Sequence, residues 1–412
     1  MASNLRKFVN LKFLNTCDLT LMRRLMSRYA TDAASIDLTV YDRDAGLTRD
    51  ALRKFFQGPE SAYPQALTAD LHRIADLGTQ HGMRLLLERA KAAEIAMEPA
   101  PQSEDAQKAD AKYVALRAFL DYRAVFDAAS DLLALETTVG LTELNGEVGD
   151  TKAVLDKETK AAFEAAAGKL FASDMMGRYC RIGWYEDGDE IRVVIVHGTE
   201  IASEWVVENG NEKVISFRPL GTAVLSYDPV EGRLKVGGLS KAQRGPLANL
   251  FAATMLKKPT FFNRDDARER YTLAPVERAG ATFLFDHQFD PGIRSVRVIE
   301  AQADRMAPAK TGKRQNRQWS VLVKDRSNAL QRMGQVAPTI SFGPNAYQLA
   351  HIGFRVEFDS ETKPHPRVTV KLSPPETAAF KREMFEGRIM TLLHRNGLCI
   401  ERKPSQVAAA AE

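Results

Sequence analysis

Between Arg305 and Arg326 the chain carries Arg305, Lys310, Lys313, Arg314, Arg317, Lys324 and Arg326 against the single acid Asp325, a local net of about +6. Within that run Trp319, Val321 and Val323 alternate. The period of two predicts a strand, with the stretch from Lys310 to Arg317 projecting from it as a cationic loop. Such a loop attracts phosphates, and Trp319 either packs inward or offers its face to a base. Arg23 and Arg28, on a helix near the start of the chain together with Arg24 and preceded by Arg6 and Lys7, extend this surface if the fold brings the two regions together. A solvated loop beside a core tryptophan, with ordinary solvent-facing arginines elsewhere, uses the same letters.

A second chemistry is metal-dependent phosphodiester cleavage. Phe289-Asp290-Pro291 precedes a strand in which Glu300 and Gln302 share one face, so that Asp290 and Glu300 can hold a divalent ion while Gln302 orients water. The strongest pattern of this kind ends in lysine, where this chain has Gln302, and begins Pro-Asp, where this chain has Asp290-Pro291. A strand ending in ordinary polar residues accounts for the same positions.

Other signals are weaker. Tyr179, Arg181 and Tyr185 lie on one face of a strand and can stack unpaired bases, but the neighbouring run Glu186-Asp187-Gly188-Asp189-Glu190 repels phosphate. Ser240, Lys241 and Arg244 at a helix start suit either an anion or a plain cap. Asp42-Arg43-Asp44-Ala45-Gly46 begins like a calcium loop, yet its twelfth position is Arg53, where a bidentate glutamate is required; a polar turn leading to a helix capped by Thr48 fits better. The histidines at 72, 81, 197, 287, 351, 365 and 394 show no ligand spacing, and neither a phosphate-binding glycine loop nor a nucleophile elbow is present. No metal and no cofactor is expected.

The elements that must position these groups follow from composition and period. The chain has 412 residues, 44% hydrophobic and 27% charged, enough for one large core or two smaller ones. It contains no apolar run of the roughly 18 to 20 residues needed to span a bilayer, so no membrane partner is expected. Cys17, Cys180 and Cys399 lie far apart without a disulfide-like framework, and the first residues lack the apolar segment of a secretory signal; a cytoplasmic protein is expected. The net charge of +4 hides an asymmetry: about +5 over residues 1–30, about +6 over 301–350 and about −10 over 101–210.

To about Phe171 the apolar spacing is helical, as in Leu21, Met22, Leu25 and Met26, or Leu67, Leu71, Ile74 and Leu77. Residues 97–108 read as a linker, and an acidic loop is expected around Glu143 to Asp150. Near Gly177 the period changes to two, marking a domain boundary, and Asp187-Gly188 and Asn209-Gly210 predict hairpin turns within an antiparallel meander. A helix is expected near 240–256. Strands follow, with dry faces at Ile352, Phe354, Val356 and Phe358 and at Val368, Val370 and Leu372. Ser373-Pro374-Pro375-Glu376 spells a helix N-cap, predicting a closing helix over 374–396 ended by Gly397, then a short strand at 398–400.

The expected fold class is α+β: a helical domain over 1–176 that engages a protein partner, then a mainly antiparallel β-sheet domain with packed helices over 177–404, and a loose tail over 405–412. The expected function is a non-catalytic intracellular binding component that contacts DNA, RNA or another polyanion through the basic 305–326 region. The alternatives are the metal-dependent nuclease above and a pure protein-interaction scaffold.

Overall fold

The computed structural model describes residues 11–30, 36–58, 64–97, 111–208, 210–307, 317–343, 346–360 and 365–400. The linker near 97–108, the cationic side chains Lys310, Lys313 and Arg314, Arg6, Lys7 and the tail 405–412 fall almost wholly outside these residues. The chain forms two compact units, Met1–Ala134 and Leu135–Glu412, dividing upstream of the 176 boundary that the change of period suggests.

The first unit is helical: α1 (Leu11–Thr16), α2 (Leu19–Ser27), α3 (Ala45–Gln57), α4 (Gln65–Leu77), α5 (Gln80–Ala92), α6 (Ala111–Asp121) and α7 (Arg123–Thr137), which ends in the second unit. Asp18 caps α2 by accepting the Leu21 N–H at 2.8 Å, and the stripe Leu21, Met22, Leu25 and Met26 is buried. Asp44, not Thr48, caps α3; Thr48 is buried and its hydroxyl donates to the Val40 carbonyl at 2.7 Å. Gly82 sits where α5 passes α4: a Cβ there would stand 2.3 Å from the Leu77 carbonyl oxygen.

The second unit comprises β1 (Leu141–Asn145), α8 (Lys157–Ser173), β2 (Cys180–Asp187), β3 (Glu190–Gly198), β4 (Ala202–Glu208), β5 (Asn211–Phe217), β6 (Leu220–Asp228), β7 (Arg233–Gly237) and α9 (Lys241–Met255). It continues through α10 (Ala274–Ala279), β8 (Ile293–Met306), β9 (Arg317–Lys324), α11 (Ala329–Val336), β10 (Tyr347–Phe358), β11 (Arg367–Ser373), β12 (Thr377–Ala379) and α12 (Glu386–Arg395). Among the described residues ten strands make one antiparallel sheet in the order β2-β3-β6-β7-β1-β12-β11-β10-β8-β9, while β4 and β5 pair only with each other. The fold is therefore α+β, as the periodicities predict.

The two halves of this sheet bury opposite faces. Leu144, Val193, Ile195, Leu225, Leu234 and Val236 pack beneath Phe163 and Phe171 of α8 and Leu247 and Phe251 of α9. Reading the register outward from β1, Leu141 pairs with Ala378, Ala378 with Leu372, Leu372 with Ile352, Ile352 with Ala301 and Ala301 with Val323. Leu141 lies on the face away from Leu144, because successive side chains alternate. Its partners Ala378, Leu372, Ile352, Ala301 and Val323 belong to the second core, beneath Leu330 of α11 and Ile389 and Leu392 of α12. The β8–β10–β11 region thus has a helix-covered face and a face that these helices leave open.

Two expectations are corrected here. The acidic segment from Glu143 begins as a strand: Glu143 pairs with Lys235 on β7, and β1 joins the two halves of the sheet. The sequence Ser373-Pro374-Pro375-Glu376 does not start a helix. The Pro375 carbonyl accepts the Arg270 and Tyr271 N–H groups at 2.9 and 2.8 Å, the Glu376 carbonyl accepts the Glu143 N–H at 3.0 Å, and residues 377–379 join the sheet. Those bonds use the carbonyls that a first helical turn would need, so helix formation waits until Glu386. The helix ends as expected at Gly397, whose φ is +68°, and its last turn carries His394 and Arg395. The segment 398–400 makes only a bridge, Cys399 to Tyr271.

Candidate anion-binding face

The open face of β8, β10 and β11 gathers arginine. Arg297 stands directly opposite Arg355, Ser295 opposite Glu357, and Glu357 opposite Arg367. These side chains and Ile299 line a depression of about 190 Å³ whose fourth guanidinium is Arg326. Like charges facing each other across an antiparallel pair destabilise it, so an arginine–arginine pair at this register has no structural benefit of its own. Glu357 partly compensates, with Arg367 at 3.3 Å and Arg297 at 3.9 Å. Burial alone would raise the Glu357 carboxyl, but the arginines around it, Arg367 first, hold it below the usual carboxylate range. Arg326 and Arg355 are exposed and have no carboxylate partner among the described residues.

Local chemistry explains how Arg326 reaches this place. Between β8 and β10 the register slips so that Glu300 opposes Gly353 while Val298 opposes Phe354, leaving Ile299 as the extra residue of a bulge. The Ile299 carbonyl accepts the Asp325 N–H at 3.0 Å, tying down the turn after β9. The Asp325 carboxylate then accepts the N–H groups of Ser327 and Asn328 at 2.7 and 2.9 Å, holding the turn that presents Arg326.

Further along the same face, Glu300 meets two lysines and a histidine. Its carboxylate lies 3.0 Å from the Lys324 ammonium, 3.1 Å from that of Lys371 and 2.7 Å from His351 Nε2. Burial pushes the Glu300 carboxyl up, and these three contacts outweigh it, holding it at about 2. Gly353 opposite lets Glu300 lie flat, since a Cβ there would stand 3.0 Å from the Glu300 Cβ. Beyond it Gln302 donates to Asp304 at 2.9 Å, and Arg317 lies 3.6 Å from the other Asp304 oxygen. From Arg297 to Asp304 the face runs about 23 Å along β8, at roughly 3.3 Å per residue.

The residues singled out in the sequence are placed unequally. Arg326, Lys324 and Arg317 share this face. Trp319 does not: it opposes Arg305, and Val321 and Val323 beyond it oppose the buried Ala303 and Ala301, so it belongs to the core side of the sheet. There it lies at the rim of edge strand β9, 59% exposed, with its ring 6.2 Å from that of Tyr347. Arg23 and Arg28 are in the first unit, where Arg23 lies 3.1 Å from Asp42 and Arg28 donates to the Leu120 carbonyl at 2.7 Å.

The proposed metal triad shares no partner. Both Asp290 oxygens accept from Arg388, at 2.7 and 2.8 Å, and that bidentate bond holds the Asp290 carboxyl below its usual range. Glu300 is held by Lys324, Lys371 and the His351 ring, and Gln302 bonds Asp304, as above. Among the described residues no cluster of three or more metal-ligating side chains occurs. Arg244 is likewise occupied, donating to the carbonyls of Leu239 and Gly140 at 3.0 and 2.6 Å and to the Thr142 hydroxyl at 2.9 Å. Tyr179 is exposed, while Tyr185 packs against Leu141, Val194 and Val224.

Sequence reasoning missed Arg297, Arg355 and Arg367 as site residues, although each occupies a wet position of an alternating strand. Their convergence depends on strand order, which alternation does not encode. The chain matches no protein-family model and no curated protein. Among the described residues no helix is long and apolar enough to cross a membrane.

Proposed function

We propose that the second unit binds the phosphate backbone of a nucleic acid on the open face of β8, β10 and β11. The observation that carries this reading is the meeting of Arg297, Arg326, Arg355 and Arg367, from three strands and a turn, around one depression that holds the single carboxylate of Glu357. A guanidinium offers planar paired donors that match phosphate oxygens, and an anion between Arg297 and Arg355 relieves their mutual repulsion. Lys324, Lys371 and Arg317 continue the track, each partly offset by Glu300 or Asp304. The contacts are to backbone, so affinity follows charge and salt more than base sequence.

Fluorescence polarisation with labelled single-stranded and duplex oligonucleotides tests this. Wild-type affinity is expected to fall steeply with salt, and Arg326→Ala/Arg355→Ala to weaken binding about tenfold and flatten the logarithmic salt slope by about 1.5 to 2. Binding that ignores salt, or that the double variant leaves unchanged, rejects the reading.

A further inference from the structure

The hairpin formed by β4 and β5 is not hydrogen-bonded to the main sheet. It prolongs β3 and β6, whose last pair is Gly198 opposite Leu220, and it closes at Glu208 opposite Asn211, with Gly210 at φ +79°. Seven paired residues make an arm about 23 Å long, at roughly 3.3 Å per residue. Its root is braced: the Thr199 N–H donates to the Pro219 carbonyl at 2.8 Å, and Arg218 donates to the carbonyls of Met175 and Thr199 at 2.6 Å each.

Two strands alone are marginally stable in water, and this pair exposes the residues that would stabilise it by packing. Trp205, 74% exposed, stands opposite Val214, while Val207 on the same face is 76% exposed; Ile215 and Phe217 are exposed on the other. Between residues 200 and 217 the arm carries Glu200, Glu204, Glu208 and Glu212 against Lys213. An acidic aromatic arm is chemically complementary to an arginine-lined face. Carboxylates take guanidinium forks, and an indole stacks on a guanidinium. The strand registers put arm and arginines at the same end of the sheet, where β3, β7, β10 and β9 finish and β6, β11 and β8 begin.

We infer that the arm docks on the arginine face of a second copy of this chain. Because both features lie at one end of the sheet, the exchange is reciprocal and closes a two-fold dimer. The occupied surface is the one assigned above to nucleic acid, so this inference rests on that face binding anions, and arm and oligonucleotide compete for it.

Sedimentation velocity at low and high salt tests the assembly with two charge-reversed variants, Glu204→Lys/Glu212→Lys and Arg297→Glu/Arg355→Glu. The wild type is expected to dimerise at low salt. Each variant alone is expected to be monomeric, its dimer dissociation constant raised at least tenfold, and the two mixed in equal amounts to pair again, since reversed arm then meets reversed face. Trp205→Ala is expected to weaken dimerisation about tenfold. A monomeric wild type, a variant that still dimerises by itself, or a mixture of variants that stays monomeric although circular dichroism shows both folded, overturns the inference. The arm variant is expected to retain oligonucleotide. Pairing of the mixture together with no nucleic-acid binding by the monomeric arm variant, whose arginine face is intact and unoccupied, rejects the proposed function and leaves the arm exchange standing; oligonucleotide binding by a wild type that is monomeric at low salt does the reverse.

Discussion

Truncating Glu143 to alanine tests the charge chain at the middle of the ten-stranded sheet. Glu143 is wholly buried on β1. It accepts from the Tyr271 hydroxyl at 2.8 Å and from Arg382 at 3.1 Å, with the Arg270 Nε at 3.5 Å. Arg382 also bonds Glu386, which Lys235 meets at 2.8 Å, and Lys235 lies 3.8 Å from Glu190. Burial opposes charge on Glu143, and Arg382 and Lys235 more than compensate, so its carboxyl sits below the usual range. Removing one member of a buried pair costs about 3 to 5 kcal/mol, because the other charge stays buried. Here Arg382 keeps Glu386, which favours the lower end, while the Tyr271 hydroxyl loses its acceptor at about 1 kcal/mol. The expected loss for Glu143→Ala is therefore about 4 kcal/mol, or about 10 °C in Tm for a unit of this size. Glu143→Gln, which leaves an acceptor for Tyr271, loses about 2 to 3 kcal/mol. Urea unfolding followed by tryptophan fluorescence measures this, since Trp184 packs edge-on against Phe163 at 5.6 Å whereas Trp205 and Trp319 are already exposed. A loss below about 1 kcal/mol, or effects of Glu143→Ala and Arg382→Ala that simply add, refutes the coupled chain.

Two further outcomes concern pH. His197 is buried, its ring stacked on Phe171 with centroids 4.1 Å apart, and burial lowers its pKa despite the Nδ1 contact to the Gly198 carbonyl at 2.7 Å. The unfolded chain therefore takes the proton first, so stability is full above about pH 6.5 and declines as pH falls below it; His197→Gln is expected to flatten urea midpoints between about pH 7 and 5, and an unchanged slope assigns the titration elsewhere. Glu300 contributes stability that is complete above about 4.5 and lost as pH falls towards about 2. Glu300→Gln is expected to remove that acid-range slope and, by releasing Lys324 and Lys371, to tighten oligonucleotide binding several-fold in polarisation assays; weaker binding makes Glu300 a contributor rather than a competitor.

Local elements follow from the chain alone wherever period and turn chemistry agree. The alternation of Cys180, Ile182 and Trp184 places these three against the core of the first half of the sheet. The β2–β3 hairpin turns through Gly188 and Asp189, one residue beyond the expected Asp187-Gly188, because Asp187 pairs with Glu190. Asn209 lies outside the described residues, and β4 and β5 pair up to Glu208 opposite Asn211. The dry faces of β10 and β11 are the buried ones. Such signals are legible because a side chain's face depends only on its neighbours along the strand. The capping grammar at Ser373 failed for the complementary reason: the N–H groups that claim its carbonyls come from Glu143, Arg270 and Tyr271, remote in the chain. The same holds for the candidate site. Arg326 and Lys324 stood out as part of a dense cationic run, but Arg297, Arg355 and Arg367 are single arginines in three separate strands. That β8, β10 and β11 are neighbours, in a register that sets Arg297 against Arg355, emerges from long-range packing alone, because pairing between strands is chosen by the burial of the whole sheet and not by any one segment.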